Sequence, residues 1–329
     1  MEKIRFLLIG VGAMGRLHLR RLRANPDVEI AGLVNRSPEA ITLARKLFPD
    51  IAQAPAWSDY QTALREAGAH AALIATPHAD HFEQGMACLD SGLHVLMEKP
   101  FADSRAHAEA LAERAVQRQR HMAVSYQYRL EGMFRHMRNL IQEGELGTVG
   151  SVSAYQAQNW LRSTSGSWRQ QPERSCGGQL NDSGSHLLDL VLWMTGLAPE
   201  QVWATLSNHG AEVEADAALT VRLQGGALAC FSIVGSASIN WWVDLTVHGD
   251  KGSLLYRNGK LLLARAGERV PKEIEPKGFP ATSDPDQDFV DLLMGRCAEP
   301  SAPPASGVQI ARLTEAAYES HRLGQPVQV

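Results

Sequence analysis

Short apolar runs alternate with helical patterns over the first third of the chain. Residues 4–9, 30–34, 71–75, 94–97 and 122–125 have the length and apolar content of buried strands. Between them, residues 13–23, 37–47, 60–67, 81–91 and 104–118 repeat their apolar positions at helical spacing. Ser37-Pro38 supplies a cap followed by Pro at the first helical position. This alternation predicts an α/β unit with a parallel sheet covered on both faces.

The pattern changes after residue 125. Helices are expected at 134–143 and 187–194, and strands at 202–207, 217–223, 227–234, 242–247, 253–256 and 261–264. Gly225-Gly226, Gly249-Asp250 and Asn258-Gly259 mark turns between them. This part reads as an α+β domain with a mostly antiparallel sheet. A Pro/Ser-rich stretch at 301–307 reads as a loop and 310–323 as a terminal helix. The chain of 329 residues fits about two domains, divided here as 1–125 and 126–329.

Composition narrows the partners. Apolar residues make up 44%, charged residues 21%, and the net charge is -4. There is no basic excess to suit nucleic acid. No stretch approaches the roughly 18 apolar residues of a membrane span. The apolar run near the start leads into spaced glycines and a basic segment, an order unlike a signal peptide. Cys88, Cys176, Cys230 and Cys297 form no C-x-x-C pair, so zinc and disulfide frameworks have little support. A reducing cytoplasm is the expected compartment.

The segment LLIGVGAMG places Gly10, Gly12 and Gly15 in G-x-G-x-x-G between an apolar strand and a helix. In that setting Gly10 makes the tight turn, Gly12 admits a pyrophosphate to the backbone, and Gly15 lets helix and strand pack closely. The turn Gly10, Gly12, Ala13, Met14 and Gly15 is therefore read as a dinucleotide site, with the helix N-terminus facing the phosphates; a purely structural glycine-rich βα turn is the other reading. The acidic residue expected about 20 positions on is missing, because the second strand runs into Asn35, Arg36 and Ser37. Asn35 does not repel a 2′-phosphate, and Arg36 and Ser37 can donate to one. This favours NADP over NAD. A solvated surface arginine is the other reading of Arg36.

Thr76 and Pro77 end the third long strand-like run, and His78 and His81 follow one turn apart. The strand ends of such sheets are where ligands bind. The histidines match no metal-ligand motif, so cofactor contact or helix capping is expected and metal is not. Glu98, Lys99 and Pro100 end the next run. A compact ammonium beside a carboxylate is a held point charge with three donors. Lys99 can bind a substrate hydroxyl and steady alkoxide character as hydride leaves, while Glu98 and Pro100 hold it. A cis bond before Pro100 would be a deliberate turn. A surface ion pair is the competing reading.

Asp182 and His186 are four apart, a spacing that puts both on one helix face. An imidazole oriented by a carboxylate suits acid–base work. A capping Asp and a core His would give the same spacing. Gly184 between them costs about 1 kcal/mol of helix stability relative to Ala, which implies close approach of another group.

Taken together, IGVGAMG, IATPHADH, MEKPF, SYQYRL, SWRQQPERSCGGQLNDSGSHLLDL and HGDKGSL resemble the Gfo/Idh/MocA oxidoreductases in family order over nearly the whole chain. The resemblance implies an N-terminal Rossmann domain and a C-terminal domain with a large open sheet that pairs subunits into homodimers or homotetramers. It implies that Lys99, Asp182 and His186 are catalytic, with His186 the acid/base and Asp182 its partner. It also implies that either NAD or NADP is bound. Gln127 of SYQYRL joins the cofactor set with Thr76, Pro77, His78, His81, Glu98 and Lys99. Gln179 and Asn181 depart from the family's usual small and apolar residues, which points to altered substrate contacts.

Tyr126, Trp160, Trp168 and Arg169 join Lys99, Asp182 and His186 as expected substrate contacts. Amides, phenols and aromatic faces suit a neutral polyhydroxylated ring, a sugar or cyclitol. Arg129, Arg162, Arg169 and Arg174 in the same segments leave open a clamp for a small hydroxy acid. Two other classes fit the fold. One is a non-catalytic dinucleotide-binding regulator, for which intact Lys99, Asp182 and His186 would be unnecessary. The other is an enzyme that keeps its cofactor through net redox-neutral chemistry.

Overall fold

The structure, a computed structural model, describes residues 3–329. Two compact units are present. One comprises residues 3–126 together with Ser283–Val308, and the other comprises Gln127–Thr282 with Gln309–Val329. The division is therefore not a single cut after residue 125, because residues 283–308 belong with the first unit.

The first unit runs β1 (Ile4–Ile9), α1 (Ala13–Leu22), β2 (Val28–Val34), α2 (Pro38–Leu47), β3 (Ala56–Trp57), α3 (Tyr60–Glu66), β4 (Ala71–Ile74), α4 (His81–Asp90), β5 (His94–Met97), α5 (Arg105–Gln117) and β6 (Met122–Val124). The strands lie parallel in the order β3-β2-β1-β4-β5-β6. This is the doubly wound Rossmann order. β4 is buried along its length, as its continuous apolar run requires of a central parallel strand.

The second unit holds α6 (Gly132–Gln142), β7 (Val149–Ala157), the short helices α7 (Trp160–Ser163) and α8 (Pro172–Ser175), and α9 (Gly184–Thr195). Strands β8 (Pro199–Ser207), β9 (Asp216–Leu223), β10 (Leu228–Val234), β11 (Trp242–Gly249), β12 (Gly252–Arg257), β13 (Lys260–Arg265) and β14 (Lys272–Glu273) follow. After them, α10 (Pro285–Leu293) lies in the first unit. Helix α11 (Pro304–Leu323) and β15 (Val327–Gln328) end the chain. The nine strands of the second sheet take the order β14-β13-β12-β11-β7-β10-β9-β8-β15. All neighbours are antiparallel except β7 and β10. Val152, Ala229, Phe231, Ile233, Val243 and Leu245 are buried, and α9 packs against β7.

Several short elements and two longer ones escaped the hydrophobic pattern. Central strand β7 buries Val152, Ala154 and Gln156 and alternates them with Ser151, Ser153 and Tyr155. That alternation is too weakly apolar to stand out in sequence. α10 starts at a capping Asp284, whose carboxylate accepts from the N–H groups of Asp286 and Gln287. It sends Phe289, Val290 and Leu292 into the core of the first unit, with the Phe6 and Phe289 rings 6.3 Å apart. The 301–307 stretch is only partly a loop, since α11 begins at Pro304. Proline is compatible with a first helical turn because its missing N–H has no partner there.

Candidate active site

Four strand ends of the first unit, those of β1, β2, β4 and β5, carry most of the expected cofactor set along one edge of the sheet. At the end of β1, Gly10 has φ +95°, and a Cβ there would lie 2.5 Å from the Ala75 carbonyl oxygen. A Cβ on Gly15 would lie 1.9 Å from the Gly10 carbonyl oxygen. Gly12 has nothing within 4 Å of a built Cβ, so the space above its backbone is open. Gly12 and Ala13 are exposed and Met14 is half-buried.

α2, α3 and α5 begin with Ser37, Asp59 and Ser104, each accepting a main-chain N–H. α1 has neither a side-chain cap nor an acidic residue in its first turn. Its first N–H groups thus have no side-chain acceptor, which leaves them to an anion. These residues fit a dinucleotide pyrophosphate.

The residues after β2 are more engaged than their sequence suggests. Asn35 Oδ1 accepts from the Val11 N–H at 3.1 Å, and Asn35 Nδ2 donates to the Ser37 carbonyl at 3.2 Å. Asn35 therefore ties the glycine turn to the second strand. Ser37 caps α2 and donates to Glu39 at 2.5 Å. Arg36 is 74% exposed and pairs with Asp80 at 3.2 Å. Of the three, Arg36 alone is an exposed side chain.

At the end of β4, Thr76 Oγ1 donates to Gln84 Oε1 at 2.7 Å. Pro77 is half-buried and His78 is buried. His81 is fully buried, with Nδ1 2.8 Å from the Pro100 carbonyl oxygen and Nε2 3.1 Å from the Thr76 carbonyl oxygen. Burial lowers its pKa despite the two carbonyls. A neutral ring donates once, and the shorter contact marks Nδ1 as the donor. His81 thus braces the loops from behind instead of offering a ring nitrogen to a cofactor.

At the end of β5, the Lys99–Pro100 bond is cis. Glu98 is buried, and its Oε2 accepts from the Lys99 N–H at 3.1 Å. Lys99 is half-buried. Tyr126, just past β6, is buried.

In the second unit, Asp182 and His186 do not occupy one helix. α9 begins at Gly184, and Asp182 lies in the preceding turn. Its N–H donates to the Gly178 carbonyl at 2.9 Å. Asp182 Oδ2 accepts from Trp160 Nε1 at 2.9 Å and from Arg169 Nε at 3.0 Å. Trp160 is 1% exposed and packs with Val213 and Ala215. It reaches Asp182 by its N–H and offers no open ring face to a sugar. Trp168 is half-buried, with the Arg169 guanidinium 4.5 Å above its ring. His186 lies in the first turn of α9, its ring 5.5 Å from that of Tyr128. Gln127 is half-buried beside it in sequence. The group approaching Gly184 closely is protein: a Cβ there would lie 2.9 Å from Ile233 Cδ1 of β10.

Several supporting residues left no local signal. Buried Glu214 accepts from the N–H groups of Gly178 and Leu180 and from the Tyr318 hydroxyl, at 2.8, 3.1 and 2.8 Å. It holds the turn that carries Asp182. Asn181 donates inward to the carbonyls of Ser175 and Cys176, and Gln179 donates to Gln158. Arg129 forms a buried two-point pair with Asp189 at 2.6 and 2.9 Å. Arg162 and Arg174 are exposed. Among the described residues, no group of three or more His, Cys, Asp or Glu is arranged to hold a metal. No helix among them is long and apolar enough to cross a membrane.

A parallel sheet with an open glycine turn, a lysine at another strand end of the same sheet, and a second unit built on a mixed nine-stranded sheet define a dinucleotide-binding oxidoreductase. Comparison with known proteins makes this specific. Residues 4–126 match the oxidoreductase family NAD-binding Rossmann fold, and residues 134–255 match the GFO/IDH/MocA C-terminal domain. The chain belongs to the Gfo/Idh/MocA oxidoreductase family.

It is 25% identical over 260 residues to scyllo-inositol 2-dehydrogenase (NADP(+)) IolW of Bacillus subtilis, covering 78% of this chain and 69% of that protein. It is 23% identical over 310 residues to levoglucosan dehydrogenase of Pseudarthrobacter phenanthrenivorans, covering 83% and 79%. An oxidoreductase domain protein from Kribbella flavida shares the fold over 100% of both chains, with TM-score 0.87 and 24% identity.

Proposed function

We propose that this protein is an NADP-dependent dehydrogenase that oxidises a ring hydroxyl of a sugar, cyclitol or related polyol. The observation that carries the substrate class is the state of the four arginines in the candidate pocket segments. Arg129 is committed to Asp189, Arg169 binds Asp182, and Arg162 and Arg174 are exposed. None is a buried guanidinium turned to a substrate carboxylate. Relatives named for scyllo-inositol and levoglucosan support the same class.

Bound dinucleotide supplies the hydride acceptor, held over the Gly10–Gly15 turn. The chain supplies the rest. Lys99 donates to the substrate oxygen and stabilises its developing negative charge. His186 takes the hydroxyl proton, so the CH–OH carbon loses one hydride and one proton in all. Asp182, restrained by Trp160 and Arg169, is the fixed carboxylate of the pair. Arg36 at the open rim favours a 2′-phosphate. Trp168 is the partly open aromatic surface for a ring face.

Self-association through the second sheet is part of the proposal. Trp203, Thr220, Cys230 and Ser153 are exposed and in register across β8, β9, β10 and β7. Tyr155 and Leu228 extend that exposed face. A homodimer or homotetramer covers it.

The test is a screen of sugars, cyclitols and their keto forms, following absorbance of reduced cofactor with NADP and NAD in parallel. Turnover of a neutral ring substrate, lost in a folded Lys99→Met variant, is expected. Best turnover with hydroxy acids, or deoxy sugars turned over as well as their parents, overturns the polyol reading.

A further inference from the structure

We propose that His18, backed by Asp286, is a positioning residue for Lys99 and acts through Glu98. This rests on the reading of Lys99 as the group that holds the substrate oxygen.

His18 is 1% exposed on α1. Its Nε2 lies 2.8 Å from Glu98 Oε1, and its Nδ1 lies 2.8 Å from Asp286 Oδ1. An ionised carboxylate only accepts, so a ring between two of them must carry both N–H protons. Burial opposes that charge, but Asp286 and Glu98 outweigh it and lift the ring's pKa to about 10. Asp286 is secured in turn. It sits in the first turn of α10, where the helix dipole favours an anion. Its Oδ2 accepts from Arg21 Nη1 at 3.4 Å, and its N–H donates to Asp284 at 3.1 Å.

The result is a continuous path of charged hydrogen bonds from α10, through α1, to the end of β5. Glu98 Oε1 is held by His18 while Oε2 holds the Lys99 N–H. On the other side, His81 Nδ1 holds the Pro100 carbonyl. Lys99 is therefore flanked by two residues, each braced by a buried histidine. A buried ion network of this kind adds little stability over apolar packing of similar volume. Its advantage is direction, because charged hydrogen bonds fix a geometry that methyl groups would not. His18 also lies one turn beyond Gly15 on the helix whose N-terminus faces the phosphates. One element thus carries both the cofactor turn and the brace on Lys99.

The test uses the full-length protein with NADP. The substrate is whichever of levoglucosan, scyllo-inositol, myo-inositol and D-glucose is turned over best. Sites are counted by fluorescence titration of reduced cofactor, and kcat is expressed per site. His18→Gln is expected to lower kcat per site by at least about tenfold and leave cofactor Kd within about threefold, since small misplacement of a reacting group is costly. Asp286→Asn keeps an acceptor for Nδ1 and should fall between His18→Gln and wild type.

A purely structural role would lower the number of sites and spare kcat per site. Wild-type kcat per site in His18→Gln overturns the proposal. If His18→Gln does not fold, Asp286→Asn decides by the same criterion. Lys99→Met is measured alongside. Its inactivity beside normal turnover per site in the other variants overturns the brace alone. Wild-type turnover in Lys99→Met removes both readings.

Discussion

Arg169 Nε and Trp160 Nε1 converge on the same oxygen of Asp182, at 3.0 and 2.9 Å. The carboxylate is 4% exposed, so both donors act in a medium where charged hydrogen bonds are strong. Two donors on one oxygen fix the carboxylate plane before any substrate arrives.

Trp160→Phe keeps an aromatic ring, though a smaller one, and removes one of these donors. We expect a folded protein whose kcat/KM falls by about tenfold, in line with roughly 1–3 kcal/mol for a buried acceptor left short of a partner. Arg169→Met should lower it further. Steady-state kinetics with circular dichroism checks this, and unchanged kcat/KM in both variants would place Asp182 outside the chemistry.

Arg36 should decide the dinucleotide. It is the exposed cation at the rim, and Asp80 competes for it at 3.2 Å. Arg36→Ala is expected to weaken NADP by about tenfold and NAD by less than about twofold, the usual scale of one charge-assisted contact. Asp80→Asn should move NADP affinity the other way. Calorimetry measures both, and equal wild-type affinity for NADP and NAD would sink the preference.

His18 makes stability depend on pH with a defined sign. Its pKa rises from the ordinary 6.5 to about 10 in the fold. A raised cationic pKa stabilises fully below about 6.5, where folded and unfolded rings are both charged. The contribution then declines and is lost as pH passes about 10, where the folded ring also deprotonates. Melting temperature should therefore fall between pH 6.5 and 10 more steeply in wild type than in His18→Gln. Parallel curves would show that the ring is not the titrating group.

Arg129 and Asp189 are 7% and 1% exposed and meet at 2.6 Å. Asp189 follows His186 by three positions on α9, so this pair anchors the helix that carries His186. Arg129→Met strands a buried carboxylate and should cost about 3–5 kcal/mol in urea unfolding. Adding Asp189→Leu should recover much of the loss. A cost under about 1 kcal/mol for Arg129→Met would mean that water reaches the site.

The sequence by itself determined what depends on neighbouring residues. Apolar runs broken by caps and turns marked the first sheet, because a parallel strand buried on both faces must be apolar throughout. Three glycines at fixed spacing marked the turn, since φ +95° at Gly10 and a built Cβ 1.9 Å from a carbonyl oxygen at Gly15 exclude larger residues. The place of Lys99 at the end of β5 was legible because a strand that ends on charge is chemically conspicuous.

Tertiary structure alone decided the partners. Asp182 and His186 suggested one helix face, yet the helix starts at Gly184 and Asp182 turns toward Trp160 and Arg169, 22 and 13 positions away in the chain. Asn35 read as a residue that does not repel a 2′-phosphate, and the fold shows that its amide oxygen also clamps the Val11 N–H. β7 escaped because its burial comes from lying between β10 and β11, not from strong apolar alternation. His18 lay unnoticed in a basic helix, since its partner Asp286 is 268 positions away. Periodicity records which side of an element faces inward. Which distant side chain meets it there depends on strand order and the return path of the chain, and those are set by long-range packing.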